Sequence, residues 1–306
     1  MTKTSERPIR QSSVVAALDV VGDHWMLLLL RELFLGTTSW TDLSRSLGVS
    51  PSTLSTRIGQ LVDGGCLEKQ PVGGRSIRYA LTPRGEDLFP FMIASEEWQA
   101  KWEDHAEPFV PGWRHSCGAP LRVDSLCAAC DRPVRIADVA VQGGDNAAAE
   151  PGRIPHRHFR NNRAKVDDWA EGEAGSRFLQ VMGDRRAVTL FAALYMGMHR
   201  FDEIERWTGL HPATISDRLR KLQLLGQVHT RLYQERPDRY LYSLSSSGRD
   251  MFAVTLQMLQ WGDRWIFGEG REPSRLVHVP CGEHLRSVVK CRACHEPVVF
   301  ADVSAL

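Results

Sequence analysis

The sequence contains no run of about 18 consecutive apolar residues, the length that a membrane-spanning helix requires. It also shows no secretory leader, so we expect a cytoplasmic protein. Net charge is nearly absent, because 38 basic residues stand against 37 acidic ones and leave a formal charge of +1. Binding to nucleic acid would therefore depend on local patches of positive charge and not on the field of the whole chain.

Signatures of catalysis are lacking as well. No Ser-His-Asp, Cys-His, phosphate-loop or paired-carboxylate arrangement stands out among the 306 residues. Hydrophobic residues make up 42% and charged residues 25% of the chain, which is typical of globular proteins. We therefore expect a globular protein that is not an enzyme, with enough length for two domains.

One stretch, residues 50–61, combines a helix start with two chemically different faces. Ser50 suits a helix cap, and Pro51 suits the first helical position. Its apolar residues recur at helical spacing and would face a core. The other face carries short hydroxyl side chains and one guanidinium, which suit hydrogen bonds to base edges and phosphates in a major groove. These candidate DNA-binding residues are Ser50, Ser52, Thr53, Ser55, Thr56 and Arg57.

The flanking segments favour a DNA-binding helix over the alternative of an ordinary amphipathic surface helix. Residues 39–47 predict a shorter helix that ends at Gly48. After the stretch, residues 66–69 and 77–81 predict two strands joined by a glycine turn. Helix, turn, capped helix and hairpin is the order of a winged helix-turn-helix, with Arg75 and Arg78 on the wing.

The whole unit is then repeated. Val21-Gly22-Asp23 recurs as Met182-Gly183-Asp184, and the pair Trp98 and Trp102 recurs as Trp261 and Trp265. These tryptophans lie on predicted long helices, where an aromatic stripe indicates a core or a dimer seam. The second copy has its own candidate DNA-binding residues, with a longer wing: Thr214, Ser216, Arg218, Arg220, Lys221, Arg236 and Arg239.

Three segments of the first copy, residues 17–25, 29–33 and 47–55, resemble the HxlR-type winged-helix regulators, which are bacterial transcription factors related to the MarR and ArsR groups. The resemblance is close over residues 12–105 and looser in the second copy, where His211 replaces Ser50. It implies a dimer, built from the first and last helices, that places two recognition helices on an operator. A chain with two copies could form that pair within itself.

Six of the seven cysteines form two triads with equal spacing. A Cys-x-x-Cys turn and a third thiolate across a short hairpin suit tetrahedral zinc, and a nearby histidine would be the fourth ligand. We predict one structural zinc within each module, with an apo zinc-ribbon relic as the alternative. The predicted sets are His115, Cys117, Cys127 and Cys130, and His278, Cys281, Cys291 and Cys294. Cys66 is left over and is interpreted as a buried thiol.

The predicted fold is mainly α with small β wings (α+β), as two winged helix-turn-helix domains each followed by a zinc-ribbon-like module. The predicted boundaries are 12–107 for the first head, 108–142 for its cysteine module, 143–172 for a linker, 173–270 for the second head and 271–306 for its module. Within the linker, residues 156–163 are basic. They predict a solvated connector or, alternatively, a strap that grips phosphates.

These features predict a sequence-specific transcriptional regulator that reads a double-stranded DNA operator with two tandem heads. No organic cofactor is predicted. Two other classes stay open: a protein-interaction module without operator binding, and a small-molecule sensor with a pocket between the Trp-bearing helices. Homodimers in addition to the intramolecular pair also stay open.

Overall fold

The computed structural model describes residues 12–74, 76–103, 112–143 and 176–306. The predicted linker after Gly143, its basic segment 156–163 and the wing residue Arg75 lie outside the described residues.

The first head has the predicted order of helices, and a two-stranded hairpin follows its fourth helix. Side-chain caps explain where its helices begin: Asp23, Ser39 and Ser50 each accept a hydrogen bond from the first turn of the helix that follows. Gly48, with a φ of 61°, ends one helix and lets the chain turn into the next. The elements are α1 (Ser13–Val21), α2 (His24–Phe34), α3 (Trp40–Leu47), α4 (Pro51–Asp63), β1 (Leu67–Pro71), β2 (Ile77–Leu81), α5 (Pro83–Glu86) and α6 (Phe89–Trp102).

The first cysteine module contributes three strands, and the second head and module repeat the series. The first module holds β3 (Trp113–His115), β4 (Val123–Cys127) and β5 (Val139–Gly143). The second head holds α7 (Arg177–Met182), α8 (Arg185–Tyr195), α9 (Phe201–Thr208), α10 (Pro212–Leu224), β6 (Val228–Glu235), β7 (Asp238–Leu244) and α11 (Ser246–Gly262). The second module holds β8 (Ser274–His278), β9 (Ser287–Cys291) and β10 (Val303–Ala305).

The helix after the wing differs between the copies. The sequence predicts one helix from Thr82 to about His105, but the structure ends α5 at Glu86 and starts α6 at Phe89. Pro90 lies at the start of α6, where its missing N–H breaks no helical hydrogen bond. The corresponding part of α11 carries Ala253, and that helix runs without interruption from Ser246 to Gly262.

The two copies pack crosswise through these long helices. The indole N–H of Trp98 donates to the carbonyl of Ser247 at 2.9 Å, and that of Trp261 donates to the carbonyl of Arg84 at 2.8 Å. Both indoles are buried, and one apolar core runs through both copies. Separating the copies would expose this apolar surface, at roughly 1.5–3 kcal/mol for each large side chain.

Strands also cross between the copies. Among the strands of the described residues, only those of the two wings pair within one head, β1 with β2 and β6 with β7. In the cysteine modules β3 pairs with β10, β4 with β9 and β5 with β8, all antiparallel. The prediction of a self-contained module after each head is therefore wrong, because each of these sheets takes one strand from each copy.

None of the helices in the described part of the chain is long and apolar enough to cross a membrane.

Candidate DNA-reading helices and crossed metal centres

The recognition helix of the first head, α4, presents a row of hydroxyl groups to solvent. Ser50 caps it by accepting from the Thr53 N–H at 3.2 Å, and Ser52, Ser55 and Thr56 are exposed. The opposite face is buried and consists of Leu54, Ile58 and Leu61. The helix is therefore held by its apolar face and offers uncharged donors and acceptors of the kind that contact base edges.

Arg57 does not belong to this exposed row, in contrast to the prediction. Its guanidinium lies 2.6 Å from the Asp23 carboxylate, and the two side chains are only 21% and 20% exposed. Burial raises the pKa of Asp23 and the charge of Arg57 opposes that shift. The pair attaches the recognition helix to the start of α2, so Arg57 has a structural partner before any DNA arrives.

The second head repeats this arrangement. Arg218 lies 2.5 Å from Asp184, with side chains 19% and 17% exposed. Lys221, also predicted to bind DNA, is half-buried, and its ammonium lies 3.3 Å from the Gln180 carbonyl. Burial lowers the pKa of Lys221.

The two arginine-bound aspartates meet where the copies join. Asp23 and Asp184 form an antiparallel backbone bridge to each other. Gly183 approaches the backbone of His24 so closely that a Cβ would lie 3.0 Å from its nitrogen. The repeated Gly-Asp motif therefore serves the contact between copies as well as the helix cap, and it ties both recognition helices to one point.

The remaining DNA-binding candidates of the second head are on its surface. Ser216 and Arg220 of α10 are exposed and Thr214 is half-buried. Its wing strands have 8 and 7 residues, against 5 and 5 in the first wing. Arg236 and Arg239 on this wing are exposed, as is Arg78 on the first.

The sequence prediction missed two aromatic residues on the second wing. Tyr233 and Tyr240 are 36% and 40% exposed. The guanidinium of Arg200 lies 5.2 Å from the ring centre of Tyr233, close enough for a cation–π contact. Strand alternation in β6 and β7 could have identified these residues, because side chains two apart share one face.

The eight predicted metal ligands do converge, but in sets that mix the two modules. Site 1, as we name it, consists of His115, Cys117, Cys291 and Cys294, and site 2 of Cys127, Cys130, His278 and Cys281. The prediction that each module holds its own metal is therefore wrong in its pairing. Each site takes a histidine–cysteine turn from one copy and a Cys-x-x-Cys turn from the other.

The strand register explains the exchange. Cys127, at the end of β4, lies opposite Ser287, where β9 begins after the turn that carries His278 and Cys281. Cys291, at the end of β9, lies opposite Val123 in the same way. Antiparallel pairing thus brings the end of each strand to the start of its partner, and it separates the two halves of each sequence module.

The distances suit a tetrahedral ion. In site 2 the His278 Nδ1 lies 3.3 Å from the sulfurs of Cys130 and Cys281, and the sulfurs of Cys127 and Cys281 are 4.0 Å apart. In site 1 the His115 Nδ1 lies 3.4 Å from the Cys294 sulfur. Zinc bonds of about 2.3 Å to sulfur and 2.0 Å to nitrogen give ligand separations of about 3.5–3.8 Å. Three thiolates and an imidazole are also the donors that zinc prefers.

Cys66 stands apart from both sites. It is fully buried, and burial raises the pKa of its thiol to about 12. A thiol that stays protonated is unreactive, which agrees with the interpretation from the sequence.

The sequence leaves open, as an alternative, a ligand pocket between the Trp-bearing helices. The indoles of Trp98 and Trp261 fill that seam. A cavity lies nearby, between α8, α11 and the strands β5 and β8. Of the two long helices, α11 lines this cavity and α6 does not.

Two capped recognition helices, each followed by a wing, define a winged helix-turn-helix protein of the DNA-binding class. The HxlR-like helix-turn-helix family model matches residues 20–107 and 181–269, which together exceed half of the chain. The chain belongs to this family, once in each copy.

Curated relatives agree with that assignment. An uncharacterised HTH-type transcriptional regulator of Mycobacterium tuberculosis is 34% identical over 134 residues, which cover 44% of this chain and 85% of the relative. The uncharacterised HTH-type transcriptional regulator YybR of Bacillus subtilis is 33% identical over 86 residues, 28% of this chain and 69% of the relative. The family and these relatives are transcriptional regulators, not enzymes.

Proposed function

We propose that the chain is a cytoplasmic transcriptional regulator that reads one asymmetric DNA operator with both of its heads. The observation that carries this proposal is the crosswise bonding of the long helices, Trp98 to Ser247 and Trp261 to Arg84. It builds into one chain the two-headed arrangement that dimeric helix-turn-helix proteins use on paired half-sites about 34–36 Å apart.

The two heads offer different chemistry to DNA. The first presents the hydroxyls of Ser52, Ser55 and Thr56, and the second presents Ser216 and the guanidinium of Arg220. Hydroxyls bond to several bases, whereas an arginine favours guanine. We therefore expect two unlike half-sites, with the second containing the stronger guanine preference. Thr53, Thr214 and Lys221 would add contacts at the edges of the helices, and the wing arginines would hold phosphates.

Zinc ions in sites 1 and 2 would hold the copies together. Their role would be structural, because four protein donors fill a tetrahedral site and leave no open position for a reacting water. The residues of the chain supply two thiolates to each site from one copy, and a thiolate and an imidazole from the other.

Selection of bound sequences from a random duplex library tests the proposal, combined with light scattering of the complex. We expect one chain on one asymmetric site. A palindrome bound by two chains, each through its first head, would contradict the proposal, and so would the absence of any enriched sequence.

Variants in single heads assign the half-sites. Ser52→Ala with Ser55→Ala should weaken binding by about 1–3 kcal/mol for each base that is no longer contacted, and it should relax preference in one half-site only. Arg220→Ala should do so in the other half-site. Ser246→Ala, an exposed serine at the start of α11, is the matched control and should bind like the wild type.

A further inference from the structure

The two metal sites have the same four donors but differ in how far their cysteines are enclosed. In site 2 all three cysteines lie within an apolar cluster or pack against it: Cys127, Cys130 and Cys281. In site 1 Cys117 is exposed and lies outside the apolar clusters of the described residues. Because an apolar shell controls how solvent reaches a metal, an ion in site 1 has one side that incoming ligands reach.

An open cleft of about 530 Å³ lies against site 1. Its wall includes three of the four ligands, His115, Cys117 and Cys294, together with Glu296 and Asp302. Clefts of this size are typical of those that admit small molecules. A small chelating ligand therefore has room to approach the ion from the side of Cys117.

The charge beside the two sites also differs. The repeat places Arg132 at the position of Glu296, and both side chains are exposed. The backbone agrees with this correspondence, because the Glu296 carbonyl accepts from the Cys291 N–H at 2.9 Å and the Arg132 carbonyl accepts from the Cys127 N–H at 2.8 Å. A carboxylate attracts an approaching Zn²⁺ and a guanidinium repels it. Local charge therefore favours the entry of zinc at site 1 over site 2.

The strands that carry the two histidines differ in the same direction. His115 lies on β3, which pairs with β10 over three residues, whereas His278 lies on β8, which pairs with β5 over five. The frame of site 1 therefore has fewer backbone contacts that hold its ligands in place while an ion enters or leaves.

We propose that site 1 exchanges its zinc with the surroundings, so that the concentration of free zinc sets its occupancy, whereas site 2 retains its ion. This inference rests on the proposed zinc sites and adds that the two are not equivalent. Exchange is a stepwise replacement, in which an incoming thiol or carboxylate ligand first takes the place of the Cys117 thiolate on the ion. No oxidation state changes, and each thiolate that is set free takes up a proton.

Occupancy of site 1 acts on the first head. Trp113 lies two residues before His115 on β3, packs against Phe89 of α6 with ring centres 5.2 Å apart, and donates to Glu96 at 2.9 Å. A ligand that binds only the folded arrangement stabilises it, and the stabilisation increases with the concentration of free ligand. Free zinc therefore adjusts how firmly β3 and β10 are held against the first head, while β5 and β8, beside the second head, do not respond.

The release of zinc to excess EDTA, followed by native mass spectrometry of the zinc-loaded full-length chain, tests the proposal. We expect one of the two ions to leave faster than the other by about tenfold or more. Cys117→Ser should carry only the slow ion, and the twin variant Cys281→Ser should carry only the fast one. Cys66→Ser, outside both sites, should release both ions like the wild type.

A charge variant keeps all eight ligands. Glu296→Arg, which installs the residue type of site 2, should slow the reloading of the emptied site 1 by about threefold or more at low salt. Glu68→Arg, at an exposed position on the first wing, is the matched control and should reload like the wild type.

Hydrogen exchange measures the effect on the fold. Removal of the fast ion from the wild type should speed amide exchange in β3 and β10 and leave the exchange of β5 and β8 unchanged.

The inference is overturned, with the zinc sites intact, if both ions leave at one rate or if Cys117→Ser keeps the fast ion. Equal reloading of Glu296→Arg and the wild type, or equal exchange in the two strand pairs, would also contradict it. A chain that binds no zinc would overturn the zinc sites and this inference together. Selection of bound DNA is a separate measurement, so none of these results decides the proposed reading of an operator.

Discussion

The two copies agree in what faces inward and differ in what faces outward. Both keep an aspartate at the start of the second helix, paired with the arginine of the recognition helix, and both donate an indole N–H to the opposite copy. The recognition helices differ in exposed chemistry, and the second wing is longer. The inner contacts serve the joint between copies, which needs matched partners on both sides, whereas each outer face has only its own half-site to fit.

One inner difference departs from this pattern. Trp113 and Phe300 pack as aromatic rings beside the first head, and the repeat places Leu276 and Ile136 at these positions beside the second head. In the same way, Glu96 of α6 corresponds to Leu259 of α11. The copies therefore also diverge inside, where their helices meet the crossed modules. Four experiments would test how far the two copies are equivalent.

The largest effect is expected at the metal sites, because structural zinc binding has an apparent free energy of roughly 10–16 kcal/mol. Cys130→Ser with His278→Ala removes two ligands of site 2 and should leave one zinc per chain. Cys130→Ser with Cys117→Ser damages both sites and should leave none. Native mass spectrometry counts the ions. If each site were formed within one sequence module, the first double variant would leave no zinc and the second would leave one. Cys66→Ser is the control, because Cys66 lies outside both sites, and this variant should keep two zinc ions.

Glu96 should make the stability of the first copy depend on pH. Burial raises the pKa of Glu96 to about 8, and its carboxyl accepts from the Trp113 indole at 2.9 Å. The unfolded chain releases this proton near its ordinary value, so the free energy of unfolding should fall as the pH rises from about 4.5 to 8 and then level off. Glu96→Gln should make this fall smaller and be more stable by roughly 2–4 kcal/mol at pH 8.5. Asp263, whose pKa burial raises to about 7, keeps the rest of the fall.

Urea unfolding between pH 5 and 9 measures the effect, with the exposed Glu86→Gln as control. The twin position holds Leu259, so the second copy has no carboxyl there, and its own contribution comes from Asp263 at a different position. An equal slope in wild type and Glu96→Gln would show that the carboxyl does not control it.

The arginine–aspartate pairs should behave alike in the two heads. Arg57→Ala leaves the half-buried Asp23 carboxylate without its partner, and Arg218→Ala does the same to Asp184. We expect each to lower the free energy of unfolding by about 1–3 kcal/mol, less than for a fully buried pair. Arg45→Ala is the matched control, because its pair with Asp42 is exposed and surface pairs contribute little.

Thermal and urea unfolding give these values, and operator binding should weaken with them because the helices lose an attachment. If Arg57→Ala loses affinity for DNA with unchanged stability, Arg57 contacts DNA directly, as the sequence predicts.

The smallest effect is expected at the wings. Arg236→Ala with Arg239→Ala on the second wing should reduce the dependence of log binding constant on log salt by about 1 for each phosphate that is no longer neutralised. Arg78→Ala on the first wing should reduce it by at most about 1. Filter binding or anisotropy at several salt concentrations measures the slopes. Equal slopes in all variants would mean that these arginines do not reach the phosphates.

Much of each head could be predicted from the sequence because its signals are local. A cap, a proline at the first turn and apolar residues at helical spacing identify α4, and Gly48 marks the preceding turn. The repeat and the cysteine–histidine spacing identify the eight candidate metal ligands. The break before α6 was also within reach, since Pro90 marks it, although the apolar stripe across it suggested one helix.

The pairing of the metal ligands was decided only in three dimensions. Ligand spacing is a property of one segment, whereas site 1 and site 2 depend on which strand β4 joins, and β9 comes more than 150 residues later in the chain. The same holds for Arg57: its position beside exposed serines suggests DNA, but the fold brings Asp23 within 2.6 Å.

Local propensity, periodicity and repetition along the chain were enough to identify the class of protein, its duplication and the residue types at each site. Which groups meet depends on the folded molecule: the crossed strands, the mixed metal sites, the buried arginines and the cavity between α8, α11 and the strands β5 and β8. Such contacts follow from packing between distant segments, where the volume of one side chain such as Leu276 or Trp113 determines whether a space is filled.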